Sequence, residues 1–83
     1  MKFKAEIDVM PLEALLDPQG KAVSQSMGNL GLSEITNVRI GKHIRIFIDA
    51  VSKDEAEAKT NEACKKLLVN EIMEGYTFTI TEA

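Results

Sequence analysis

Two side chains in this 83-residue sequence carry the usual means for proton transfer or nucleophilic attack near neutral pH, His43 and Cys64. A histidine acts as a general base only when a reacting group and an orienting partner lie within hydrogen-bond reach. His43 follows Gly41 and Lys42 at an expected turn, and the sequence identifies neither companion, so it reads as a solvated loop residue. Cys64 falls on the apolar stripe of an expected helix. A reactive thiolate needs cationic surroundings, and Lys65 and Lys66 point to other sides of that helix, so Cys64 reads as a small core hydrophobe. Arg39, Gly41 and Lys42 bring two cations to a turn that could hold a phosphate or carboxylate. The spaced glycines and Gly-Lys-Ser/Thr ending of a P-loop are missing, however. One cysteine and one histidine cannot supply an ordinary four-ligand zinc site. No catalytic residue, cofactor-binding residue or metal ligand is therefore expected in this chain.

The elements that would position these residues follow from periodicity. From Lys2 to Met10, Phe3, Ala5, Ile7 and Val9 alternate with charged side chains, the mark of a half-buried strand that Pro11 ends. Asp17 can cap a helix start, with Pro18 at the first helical position, where its missing N–H costs nothing. Val23, Met27 and Leu30 then recur at helical spacing, and Gly31 supplies a left-handed stop. Val38 and Ile40, then Ile44, Ile46 and Ile48, predict two strands around a loop at Gly41–His43. Ser52 and Glu55 have capping-box spacing, and Ala56, Thr60, Ala63, Cys64, Leu67 and Leu68 make the buried stripe of a second helix. Asn70 ends it. Tyr76, Phe78 and Ile80 alternate with threonines in a last strand. The order β-α-β-β-α-β predicts an α+β, ferredoxin-like sandwich: a four-stranded antiparallel sheet with two helices on one face. The opposite face is expected to show Lys4, Glu6, Asp8, Arg39, Arg45, Phe47, Asp49, Thr77 and Thr79.

A chain this short makes a single domain, residues 1–83, with a thin stability margin. A lone cysteine rules out an internal disulfide, so self-association is the favoured extra support. A net charge of −3 argues against a general nucleic-acid binder, which needs excess cations to displace phosphate counterions. Phe47 alone is also a poor platform for stacking RNA bases. The N-terminus lacks a signal-peptide core, no run approaches a membrane span, and a free cysteine fits a reducing cytoplasm.

Function enters through resemblance. "LDPQGKAV", then "LG", "VRIGKHIRI" and "EAEAKTNEACKKLLVNEIMEGY" are similar to the PurS family, small subunits of phosphoribosylformylglycinamidine synthase. The likeness runs from the first strand to Ile80, and its sharpest motifs are Leu16–Gly20 and Arg39–Lys42. It implies a non-catalytic subunit in purine biosynthesis that forms a homodimer or tetramer. It also implies partners: a glutaminase subunit (PurQ) that releases ammonia and a synthetase subunit (PurL) that uses ATP and Mg to aminate formylglycinamide ribonucleotide. On that reading Asp17, Pro18, Gln19, Gly20, Arg39, Gly41 and Lys42 are the candidate subunit contacts. Two rivals share the expected topology. An acylphosphatase-type enzyme would need a glycine-rich phosphate loop directly after the first strand, where "MPLEALLDPQG" stands. An ACT-type regulatory module would bind a small ligand at a seam between copies.

Overall fold

The computed structural model describes residues 1–83. Strand β1 (Lys2–Pro11) buries Phe3, Ala5, Ile7 and Val9, the alternate positions expected of a strand with one covered face. It is the central strand of the sheet. Strand β2 (Lys42–Asp49) runs antiparallel on one side and β3 (Glu74–Glu82) antiparallel on the other. Ile7 sits opposite Ile44 and Phe78, and Ala5 opposite Ile46 and Ile80, so one register places the apolar side chains of all three strands together.

Helix α2 (Lys53–Ala63) packs on that face against all three strands. The Ser52 Oγ accepts from the Glu55 N–H at 3.2 Å, and Glu55 Oε2 accepts from the Val51 N–H at 3.4 Å, one residue before the usual capping-box target. Ala56, Thr60 and Cys64 are buried against the sheet, and the Thr60 hydroxyl donates to the Ala56 carbonyl at 2.8 Å. A π-helical turn, Cys64–Leu68, then ends the helix. One extra residue in a turn rotates the face that follows it. Leu67 consequently points out, 83% exposed, where a regular helix would have buried it, and Val69 is buried instead.

Helix α1 (Pro18–Asn29) has the expected start and stop. The Asp17 side chain caps it and Pro18 opens it. At the far end Leu32 N–H donates to Met27 O and Gly31 N–H to Gly28 O, with Gly31 at φ +79°: the paired bonds of a Schellman stop.

Three expectations are corrected. The sheet has three strands in the order β2-β1-β3, so the four-stranded ferredoxin-like sandwich is not formed. The missing strand is the segment around Val38 and Ile40. Asn37 turns to φ +56°, which interrupts an extended run, and the N–H groups of Val38 and Ile40 donate to Ser24 and Asp17. Those donors are therefore unavailable to β2. Second, the two helices do not share a face, because α1 stands off from the sheet, and Gly20 is its only buried residue. The chain measures 51 × 25 × 14 Å with a radius of gyration of 16.4 Å. A compact domain of this length would have about 12 Å. Third, Gly41–His43 is not a hairpin loop: β2 begins at Lys42, and His43 lies in the strand opposite Asp8. Arg39 accordingly drops out of the open sheet face and His43 joins it.

Candidate functional site

The two sequence motifs meet where the α1 arm leaves the sheet. Asp17 lies at their centre. Its Oδ1 accepts from the Gly20 N–H at 3.0 Å, and its Oδ2 accepts from the Ile40 N–H at 2.9 Å. One carboxylate thus caps the helix and ties the returning chain to it. The Gly20 and Ile40 hydrogen bonds hold the Asp17 carboxyl below its usual pKa, and the nearby Arg39 charge acts in the same direction. Arg39 closes the junction from the other side: Nη1 donates to Leu15 O at 3.1 Å and Nη2 to Leu12 O at 2.7 Å. A third tie runs from the Val38 N–H to Ser24 Oγ at 3.1 Å. Gly20 is required by this closeness. A side chain there would overlap the Val38 carbonyl oxygen and reach within 2.6 Å of Asp17 Oδ2.

The structure therefore gathers Asp17, Gly20 and Arg39 and separates the others. Pro18 and Gln19 are exposed on the first turn of α1. Gly41, just before β2, lies so close to β1 that a Cβ would overlap the Val9 carbonyl oxygen. Lys42 turns toward Glu74, with Nζ–Oε2 at 3.6 Å. Sequence reasoning missed Leu12, Leu15, Ser24 and Val38, which complete the junction through backbone groups and one hydroxyl. Their residue types carry no signal of that role. Asn37 did carry one, since asparagine tolerates the left-handed region better than most residues.

A second polar cluster lies on the sheet face away from α2. His43 sits between two carboxylates, with Nδ1 2.7 Å from Asp8 Oδ1 and Nε2 against Glu6 Oε2. Arg45 Nε donates to Glu6 Oε1 at 2.5 Å, and Lys4 Nζ stands 3.9 Å from the same oxygen. The Asp8 and then the Glu6 hydrogen bonds raise the His43 pKa, and the His43 bond in turn lowers that of Glu6. The row explains itself by register: Glu6 opposes Arg45, and Asp8 opposes His43. Cys64 is fully buried, and burial raises its pKa, which disfavours the thiolate. No group of three or more His, Cys, Asp or Glu side chains could hold a metal ion.

What fold and geometry define is an α+β protein of β-α-β-α-β order, with a three-stranded antiparallel sheet and a first helix carried away from the core on a hydrogen-bonded junction. The family is decided by comparison. The family model for PurS, phosphoribosylformylglycinamidine (FGAM) synthase, matches residues 4–82, and the chain belongs to this family. The PurS subunit of Bacillus subtilis is 34% identical over 80 residues, covering 96% of this chain and 94% of that protein. The PurS subunit of Archaeoglobus fulgidus is 33% identical, covering 94% and 98%. Among solved structures, B. subtilis PurS has a TM-score of 0.86, at 34% identity, covering 96% of this chain and 99% of that one. A chain of the PurLQS structure from Thermotoga maritima has a TM-score of 0.89, at 28% identity, covering 98% and 99%. The chain is thus a PurS subunit of the FGAM synthase of purine biosynthesis, and the acylphosphatase and ACT readings give way.

Proposed function

We propose that this chain is a structural joint: it associates with itself and holds a glutaminase subunit near a synthetase subunit so that ammonia released by one reaches the other. The observation that carries this reading is the α1 arm. Leu16 and Leu30 are 73% and 71% exposed, and Leu32 and Ile35 are also outside the core, so the arm offers apolar surface that its own sheet does not cover. The PurLQS structure from T. maritima, which contains a chain of similar fold, supports partners of this kind. ATP and Mg would act at the synthetase subunit and not in this chain. Ammonia is mostly protonated at neutral pH and is lost by diffusion, so bridging works by raising its effective concentration at the second site.

In this reading the candidate contacts divide by role. Asp17, Gly20 and Arg39 set the angle of the arm and Gly41 lets the chain close on β1, whereas Pro18, Gln19 and Lys42 present surface. No helix is long and apolar enough to cross a membrane, and a cytoplasmic location fits a subunit of this pathway. The test is reconstitution of FGAM synthesis with and without the chain, using glutamine or supplied ammonia. Omission should abolish glutamine-dependent synthesis while ammonia-dependent synthesis by the synthetase persists. Equal loss with both nitrogen sources would sink the bridging role.

A further inference from the structure

The cleft beside the arm's junction carries charge that its own hydrogen bonds do not neutralise. It holds about 350 Å³, and its lining includes Leu15, Leu16, Asp17, Lys21, Ser24 and Arg39. The chain has ten lysines and arginines. Lys2, Lys4, Lys42, Arg45, Lys59 and Lys66 each lie within 4.0 Å of a carboxylate. Of the remaining four, Lys21 and Arg39 come together in this cleft. Asp17 offsets only part of this charge: two cations stand against one carboxylate, whose oxygens already accept from backbone N–H groups. Arg39 spends its two terminal nitrogens on carbonyl oxygens, which carry no full charge, and its buried Nε faces no acceptor at all. Leu15 and Leu16 add apolar lining, and Leu16 is largely in water.

We infer that this cleft receives an Asp or Glu side chain from a larger subunit of the synthase, with the adjoining apolar residue of that segment covering Leu16. The inference rests on the bridging reading and names the chemistry of one contact within it. A second carboxylate complements the positive charge that Asp17 leaves unbalanced. A small inorganic anion would leave the leucine wall wet, whereas a peptide segment covers both surfaces. Lys21 supplies attraction from the exposed side of α1, while Arg39 is fixed in place by the loop carbonyls it binds.

The experiment measures binding of the chain to the purified larger subunits, comparing Lys21→Glu, Lys21→Gln and, as a control for net charge, Lys65→Glu. Lys21 and Lys65 are both exposed, so the fold should be unaffected, which circular dichroism checks. Lys21→Glu should weaken binding about tenfold or more, Lys21→Gln less, and Lys65→Glu not at all. The difference should shrink in about 0.5 M salt. Wild-type affinity in Lys21→Glu overturns the inference and leaves bridging intact. So does a variant whose sole defect is in self-association, or a Lys21 that responds only to inorganic phosphate. Failure of the unaltered chain to bind either larger subunit overturns bridging, and this contact with it.

Discussion

His43 shows how an exposed residue acquires a definite electrostatic setting from its strand neighbours. Asp8 and Glu6 flank its ring from β1, while Arg45 and Lys4 share the Glu6 carboxylate. Its pKa is raised from an ordinary 6.5, so protonated His43 is favoured in the folded chain. That stabilisation is fully present below the unfolded value and is lost as pH rises through the higher folded value. Glu6, held low, contributes in the opposite sense, losing its share only as pH falls through its depressed value. The melting temperature should therefore fall as pH rises above about 6.5, and His43→Gln should flatten that part of the profile. A thermal melt across this range checks it. Solvent exposure of these side chains keeps the effect small.

At the scale of the element, the end of α2 is the informative piece. A regular helix would continue the stripe from Cys64 to Leu67 and Leu68, as heptad-like spacing implies. The π-turn shifts the chain, so Leu67 faces water while Leu68 is half-buried and Val69 enters the core. The residue with the stronger sequence claim to burial is thus the one that matters least. Leu67→Ala should change stability by no more than about 0.5 kcal/mol. Val69→Ala should cost more, up to the roughly 1.5–3 kcal/mol associated with burying a valine side chain. Urea unfolding of the two variants measures the contrast. The π-turn also fits its surroundings: Asn70 follows after Val69, its Oδ1 accepting from the Ile72 N–H and its N–H donating to Glu74 Oε1 as the chain turns into β3.

The whole molecule has two levels of order. The sheet and α2 share a core containing Phe3, Ala5, Ile7, Val9, Ala56, Cys64 and Ile80. The α1 arm has intrahelical hydrogen bonds, caps and the junction at Asp17 and Arg39, but almost no burial. Helices of this length are marginal in water without tertiary packing. Hydrogen exchange on the dilute chain should therefore show β1 amides protected to the level of global unfolding. Those of α1 should open at lower free energy and exchange about tenfold faster or more. On assembly the α1 amides should slow toward the rate of the sheet. Equal protection of α1 and β1 in a monomeric chain would contradict this division.

The sequence by itself determined the local structure. Strict alternation gave β1 and β3, and Asp17-Pro18 and Ser52-x-x-Glu55 gave the helix starts, because these features depend on residues within a few positions of one another. It also carried the family motifs. Only the tertiary structure decided that "LDPQG" and "NVRIG" bind each other across more than twenty residues, since the groups they use are largely backbone donors and acceptors, which every sequence possesses. For the same reason the fourth strand was illegible as absent. Val38 and Ile40 have the side chains of a strand, but a strand is made by its hydrogen bonds, and here those donors belong to Ser24 and Asp17.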